Sequence, residues 1–513
     1  MALMVQRRKY FNYLLPIISG ILLCLPFSYP SLYIFSWTAL LPFLYFLERW
    51  KKKEEKGIHS VFLAGTLLGI TIMVSSSFWL YYPLAEHSGL PFLLALFLLL
   101  LVFVLFGAIY GIWALLFVFV KRSPGTSPVW LAISWIAVEF LRFRLIPAFP
   151  FAFIGYSQSD FLSLLQFASF GGVFLVGFIV LLFNGYLFKT IESKNLRYLV
   201  PVLLLLILVL ITGQYEINSF EAEDWLDVGV VQTNLDPVEK WSVTNIESNM
   251  DYLLGESREL VEAKLVVWPE SSLTFDLIRN EYYRNRFLQQ VGSLNTCLQI
   301  GSLSIMDDDF ARYNSSFLIT PEGLIQNRYN KVRLVPFGEY MPLSNLVEKL
   351  TGISFVSQLP GDEFVIFRRG EVSWKTVICS EILYPGLVRE GVEEAQFIVN
   401  QSNEAWYKRG NLQEQMWIVA RFRAAENRRS ILKAGNQAYG GIISPTGVEL
   451  MKSHSRELST FSAQLPLNRE ETLYQKWGDY TGFISVVLLV LFLLVSIFFS
   501  WKKAKDREEV RKI

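Results

Sequence analysis

Seven long apolar stretches fill the first 214 residues, near 10–28, 31–47, 60–82, 91–120, 128–141, 166–188 and 198–213, and an eighth lies near 481–500. A helix needs about 20 such residues to cross the hydrocarbon core of a bilayer. The chain of 513 residues is 52% hydrophobic and 15% aromatic, more apolar than a water-soluble fold of this length requires. The pattern therefore predicts a polytopic helical membrane domain. The fourth stretch is long enough to tilt, and the fifth is short. Lysine and arginine in the connecting loops set the orientation of the spans. Arg7, Arg8 and Lys9; Lys51, Lys52, Lys53 and Lys56; Lys121 and Arg122; Lys189, Lys194 and Arg197; and Lys502, Lys503, Lys505, Arg507, Arg511 and Lys512 all fall on one side if the spans alternate. The loops at 27–31 and 82–90 carry none. The basic side is thus expected to be cytoplasmic, and the long segment 214–480 to lie on the outer face. Further spans follow the first at once with no small-residue cleavage site, so it is expected to stay as a span.

Net charge is +1, so no overall basic field argues for nucleic acid. The three cysteines, Cys24, Cys297 and Cys379, are widely separated and suggest neither a zinc site nor a disulfide framework. The three histidines, His59, His87 and His454, sit at span ends or in a polar loop. A nucleophile in this chain is therefore expected to use a base other than histidine. Between the fifth and sixth spans, Glu139, Arg142 and Arg144 precede a Pro- and Phe-rich loop, 148–158. Two readings stay open there: Arg142 as a fork of donors for a headgroup phosphate, or an interfacial loop pinned by its own charges and aromatic belt.

From residue 215 the composition becomes globular. Strand-like runs (228–234, 265–268, 298–303, a hairpin over 314–320 and 324–330, 372–378, 396–400, 431–433 and 441–444) alternate with helical patterns at 245–263, 279–294 and 413–429. That alternation predicts a layered α/β domain. Three polar residues each follow a strand: Glu270 after Leu265-Val-Val-Trp-Pro, Lys331 after the hairpin, and Cys379 after Thr376-Val-Ile. Strand ends on one edge of such a sheet converge on a cleft. A carboxylate can take the thiol proton, an ammonium can steady thiolate and oxyanion, and the cysteine can attack a carbonyl. Taken singly, each has an ordinary reading: Cys379 as a core residue, Glu270 as a helix-start acid, Lys331 as a solvated loop lysine.

Trp-Pro-Glu270, Asn-Lys331 with Phe-Gly-Glu339-Tyr340, and Cys379 with Glu381 resemble the Glu-Lys-Cys signature of the nitrilase (carbon–nitrogen hydrolase) superfamily. Joined to a polytopic amino half and a carboxy-terminal span, they resemble the apolipoprotein N-acyltransferase family. The resemblance extends to Glu139–Arg142, Gly155-Tyr-Ser-Gln158, Trp241, the stretch from Asn400 to Trp406, and Tyr474 with Gly478-Asp479. It implies an αββα sandwich, and domains at 1–214 (about seven spans), 215–478 (extracytoplasmic, catalytic) and 479–513 (last span and basic cytoplasmic tail). It also implies placement in a bacterial inner membrane with the catalytic domain on the periplasmic side. The implied reaction moves a fatty acyl chain from a phospholipid, through a Cys379 thioester, to the α-amine of the diacylglyceryl-cysteine of a lipoprotein. Glu270 would be the proton acceptor and Lys331 the cation. Glu339, Glu381, Trp241, Arg142 and Tyr340 would support the site or bind substrate. No cofactor or metal and a monomeric enzyme among membrane lipids are implied. The chain departs from the family pattern at Ser380, where a Tyr is usual, and at Glu404, where Asp is usual. The competing readings are a membrane-tethered amidase or nitrile hydrolase with the same triad, and a non-catalytic scaffold. The apolar segment 346–359, with Phe355 and Val356, leans toward lipid.

Overall fold

The computed structural model describes residues 12–51, 57–87, 91–120, 128–146, 149–305, 312–342, 344, 348–349, 357–407 and 410–512. Phe355 and Val356, and most of the basic clusters at 7–9, 51–56 and 121–122, lie outside these residues. The chain divides into two compact units, one of Met1–Tyr215 with Trp477–Ile513 and one of Glu216–Lys476.

The first unit is helical. Its helices are α1 (Leu14–Ser28), α2 (Leu41–Lys51, after a 3-10 turn at Pro30–Trp37), α3 (His59–Ser77), α4 (Phe92–Val120), α5 (Pro128–Leu145), α6 (Ala168–Ser193), α7 (Leu199–Asn218, entering the second unit) and, at the carboxyl end, Tyr480–Lys512. Helix thus stands at all eight positions where apolar stretches occur. Among the described residues, six helical segments are long and apolar enough to cross a membrane: 30–51, 59–80, 92–120, 168–193, 196–218 and 480–507. Helix α1 is shorter, and α5 carries Glu139, Arg142 and Arg144 near its end. The protein is a multi-pass membrane protein. Helices α3 and α4 bring their backbones together through Gly65-x-x-x-Gly69 and Gly107-x-x-x-Gly111; a Cβ on Gly65 would stand 2.5 Å from the Tyr110 carbonyl. Lipid supplies no hydrophobic drive between helices, so such close approach must supply packing instead.

The loop after α5 is held from within. Glu139 Oε1 accepts from Trp135 Nε1 at 2.8 Å and from the Ile154 amide at 3.0 Å. Arg142, 3% exposed, donates to the carbonyls of Phe149 (3.2 Å) and Phe151 (2.8 Å) and lies over the Phe153 ring. Its fork is occupied by main-chain carbonyls, which favours the pinned-loop reading over headgroup binding. Cys24 is buried, packed within this unit.

The second unit is two six-stranded sheets. The first runs in the order β12 (Ser459–Leu467), β1 (Asp224–Gln232), β2 (Leu265–Val267), β3 (Cys297–Ile305), β4 (Arg312–Ile319), β5 (Ile325–Asn330). The second runs β11 (Glu449–Lys452), β10 (Gly441–Ile443), β9 (Ser430–Asn436), β8 (Phe397–Asn403), β7 (Val372–Ile378), β6 (Ile366–Arg369). Each has a parallel trio, β1-β2-β3 or β7-β8-β9, flanked by antiparallel strands in the same pattern. The helices α8 (Pro237–Lys240), α9 (Ile246–Arg258) and α10 (Glu281–Val291) belong to the first half, and α11 (Leu412–Asn427) to the second; α12 is the terminal helix Tyr480–Lys512.

Alternation along the strands sorts the layers. Val228, Val230, Leu265 and Val267 meet Trp374, Ile378, Phe397, Val399 and Leu432 of the other sheet in one core. Val231, Val266, Trp268 and Leu298 face the opposite way and pack on Met250, Leu253 and Phe287 of α9 and α10. This is an αββα arrangement, in line with the expected fold class. Strands β6, β11 and β12 were not anticipated. Ser459–Leu467 has no apolar run in its first half; its strand form comes from pairing with β1 over its whole length, Asp224↔Leu467 to Gln232↔Ser459. Strand β8 extends past 400 through Gln401-Ser402-Asn403 because these pair with Ala434, Gly435 and Asn436 of β9.

Gln299 ties the sheets across the core. Its Oε1 accepts from Trp374 Nε1 at 2.8 Å, and its Nε2 donates to Thr376 Oγ1 at 2.7 Å. Truncating it strands a buried indole N–H, which costs about 1–3 kcal/mol. Gln299→Ala is expected to lower the thermal unfolding midpoint of the detergent-solubilised protein by several degrees; an unchanged midpoint would show that the tie contributes nothing.

Candidate active site

Cys379 sits where β7 ends and a 3-10 turn, Cys379–Leu383, begins. Its φ is +51°, a left-handed conformation that costs a side-chain-bearing residue about 1–3 kcal/mol and survives only when neighbours impose it. Two side chains do so. Glu381 Oε2 accepts from the Ile378 amide at 2.7 Å. Asn400 Nδ2, on β8, donates to the carbonyls of Val377 (3.2 Å) and Cys379 (3.4 Å). Asn400 is in turn gripped through Oδ1 by Lys433 of β9 at 3.2 Å, whose ammonium also meets Ser402 Oγ (2.7 Å) and Glu404 Oε1 (2.9 Å). The Cys379 thiol lies 4.0 Å from the Asn403 carbonyl. Of the three cysteines it alone is not fully buried.

Glu270 follows β2 by way of Trp268-Pro269, and the next residue, Ser271, also has positive φ, +50°. The turn rests against Gly301 of β3, where a Cβ would come within 2.4 Å of the Ser271 nitrogen. Only glycine allows that approach. Glu270 Oε1 accepts from Asn314 Nδ2 at 2.6 Å and from Lys331 Nζ at 3.4 Å.

Lys331 is the residue after β5, fixed by its amide on the Asn314 carbonyl at 2.8 Å. Its ammonium is 1% exposed and contacts Glu339 Oε1 at 2.7 Å as well as Glu270. Asn314 Nδ2 bridges the two carboxylates, reaching Glu339 at 3.1 Å. Burial works against the Lys331 charge, but Glu339, Glu270 and Cys379 outweigh it and hold the ammonium well above its usual range. The Cys379 thiol is pushed well up, first by burial and then by Glu270, with Lys331 opposing. The resting group is therefore a thiol under the influence of a carboxylate, and any reaction through its sulfur requires the proton to leave.

The remaining candidates separate. Glu339 joins the cluster directly. Glu381 is fully buried, and its other oxygen accepts from Tyr329 OH (2.8 Å) and the amides of Val332 (2.7 Å) and Arg333 (3.0 Å). It clamps the Lys331 loop to the Cys379 turn through its two carboxylate oxygens. Trp241 ends α8, half-buried, one residue after Lys240. Tyr340 is exposed and accepts from the Phe337 amide through its carbonyl at 2.8 Å. Arg142 belongs to the helical unit and its own loop. Ser380 keeps a buried Oγ without a hydrogen-bond partner. Sequence reasoning missed Asn314, Asn400, Lys433 and Lys240. Lys433 left a signal, a lysine inside the apolar run Ile431-Leu-Lys-Ala; Asn314 left none, because its role depends on which strand pairs with β5. Among the described residues, no cluster of His, Cys, Asp or Glu could hold a metal.

The electrostatics fix a sign. Carbamidomethylation by iodoacetamide is expected at Cys379 and not at Cys24 or Cys297, with a pH midpoint above that of free cysteine. Lys331→Met should raise that midpoint further and Glu270→Gln should lower it. Peptide mass spectrometry across pH checks this; the opposite ordering of the two variants would contradict the charge arrangement.

Comparison with known proteins accounts for both units. Residues 19–186 match the apolipoprotein N-acyltransferase N-terminal domain, and 227–475 match the carbon–nitrogen hydrolase domain. The apolipoprotein N-acyltransferase of Geobacter metallireducens is 30% identical over 496 residues, covering 91% of this chain and 92% of the relative. That of Coxiella burnetii is 26% identical over 445 residues, 84% of this chain and 90% of the relative. Among solved structures, an amidase from Nesterenkonia sp. aligns over 49% of this chain and 92% of its own at 17% identity, with a TM-score of 0.39. Two domains in family order, and a relative aligned almost end to end, establish that the chain belongs to the apolipoprotein N-acyltransferase family, enzymes of acyl transfer.

Proposed function

We propose that this protein transfers a fatty acyl chain from a membrane phospholipid to the α-amine of the diacylglyceryl-cysteine of a lipoprotein, with Cys379 as nucleophile, Glu270 as proton acceptor and Lys331 as the cation. The observation that carries the reading is the buried contact of the Lys331 ammonium with Glu270 at 3.4 Å and Glu339 at 2.7 Å, with the charges of Glu270 and Lys331 both acting on the Cys379 thiol.

In the first half-reaction, Glu270 takes the thiol proton as Sγ bonds to the ester carbonyl carbon. The carbonyl π electrons move to oxygen, and Lys331 balances the oxyanion. Collapse breaks the bond to the glycerol oxygen, which leaves with the proton from Glu270 as a lysophospholipid. A thioester on Cys379 remains. In the second half, the neutral α-amine adds to the thioester carbonyl and gives a proton to Glu270. Collapse breaks the C–S bond, and Glu270 returns that proton to the sulfur. The products are an amide and the free thiol, with no redox change. Water must be kept from the thioester or it hydrolyses, which suits a site served from a lipid phase. The inner membrane and its periplasmic face are the proposed location, since the basic loops are then cytoplasmic.

Incubating the purified enzyme with phospholipid should add one acyl group to Cys379, detected by intact-protein and peptide mass spectrometry, and a diacylated lipopeptide should discharge it as an N-acyl product. Cys379→Ala should abolish both, lowering turnover by about 10⁴-fold or more, without changing the unfolding midpoint. An adduct on Cys297, or release of free fatty acid with no lipopeptide product, would refute the assignment.

A further inference from the structure

Lys240 is a buried cation that the steps above leave unused. It ends α8, next to Trp241, and is 1% exposed. Its ammonium donates to the main-chain carbonyl of Glu270 at 3.0 Å. That carbonyl belongs to the turn whose next residue is held at positive φ and which lies tight against Gly301. An ammonium has three N–H donors, and among the described residues no side-chain acceptor meets this one. A buried lysine on a single carbonyl is expensive unless nearby charge compensates it. Burial, opposed by the charge of Glu270 and by Cys379 once ionised, leaves the ammonium lowered to about 8.

The charge count explains why a second cation is wanted. Lys331 is shared by two carboxylates, Glu270 and Glu339. Those three groups alone carry one net negative charge in a buried site. Forming a thiolate, or an oxyanion while Glu270 holds the proton, keeps that surplus in place and spreads it toward the sulfur. With Lys240 and the Cys379 thiol counted in, the five groups are neutral both before and after the proton moves from Cys379 to Glu270.

We propose that Lys240 is a positioning residue of the reaction centre: through the Glu270 carbonyl it fixes the strained turn that carries the base, and its charge brings the Glu270–Lys331–Glu339 cluster to neutrality so that the Cys379 thiolate can form. The proposal rests on the roles given above to Glu270 and Cys379. The titratable groups that bear on Cys379 are Glu270, Lys331, Lys240, Glu404 and Tyr407. Glu404 is already paired with Lys433 at 2.9 Å, so Lys240 and Lys331 are the two cations left to act on the thiol.

Two variants of the full-length enzyme in detergent separate charge from hydrogen bond. Lys240→Gln keeps a donor for the Glu270 carbonyl and removes the charge; Lys240→Met removes both. Both should slow carbamidomethylation of Cys379 at pH 7 about tenfold, a one-unit loss of thiolate, and the difference from wild type should shrink above pH 9, where the Lys240 ammonium is itself discharged. Both should slow single-turnover thioester formation from phospholipid about tenfold or more, with the larger loss in Lys240→Met. A wild-type alkylation rate at pH 7 in Lys240→Gln would overturn the charge role, and wild-type acylation in Lys240→Met would overturn the proposal as a whole. If Lys240→Met does not fold, Lys240→Gln decides alone. Carbamidomethylation needs no lipid, so a wild-type enzyme that shows the alkylation profile but forms no thioester would indict the proposed function and leave the Lys240 result readable.

Discussion

The site turns on one buried ammonium held between two carboxylates. Lys331 meets Glu339 at 2.7 Å and Glu270 at 3.4 Å with 1% of its surface exposed. Charges at that depth are tolerable only when paired and hydrogen-bonded on every side. Asn314 spans both carboxylates, Glu381 fastens the Lys331 loop to the Cys379 turn, and Lys240 holds the Glu270 carbonyl. The fold has to deliver four separate chain segments to one point within tenths of an ångström. Two stacked sheets are suited to this, because strand ends are the most rigid termini available.

Rigidity is obtained at the cost of local strain. Cys379 and Ser271, the latter directly after Glu270, both have positive φ. Each is imposed by a neighbour that cannot be replaced cheaply: Asn400 and Glu381 around the cysteine, Gly301 under the glutamate turn. Strain of this kind collects at functional sites because it presents a side chain that an ordinary strand or helix would point elsewhere. The deeper Lys433–Glu404 pair belongs to the same logic. Its hydrogen-bonded route to Cys379 runs through Asn400, which without it would lose the partner that orients its amide.

The second unit also repeats a plan that its residues do not announce. Both sheets have a parallel trio between antiparallel strands, and the trio's first strand leads to a helix-bearing crossover in each. The two halves carry different residues at equivalent places: Cys379 directly follows β7, whereas Glu270 follows β2 by way of Trp268-Pro269. No internal repeat is visible in the sequence because packing requires only that apolar residues alternate toward the shared core, and many side chains satisfy that requirement.

Much was legible from residues alone, for physical reasons. A span must be continuously apolar over about 20 residues, so all eight helical segments could be located. Parallel strands buried on both faces read as short apolar or β-branched runs, so 265–268 and 376–378 stood out, and with them the residues that follow, Glu270 and Cys379. What depended on pairing was not legible. Ser459–Leu467 is a strand because β1 lies beside it, Glu381 is a clamp because Val332 and Ile378 present amides to it, and Arg142 spends its fork on carbonyls seven and nine residues away. The sequence by itself determined which segments are apolar enough to enter lipid, most of the strands, and which three side chains at strand ends are candidates for chemistry, since those are properties of composition and local period. Only the tertiary structure decided which polar groups share a charge, because a buried ammonium takes its partners from whatever the fold brings within about 3 Å.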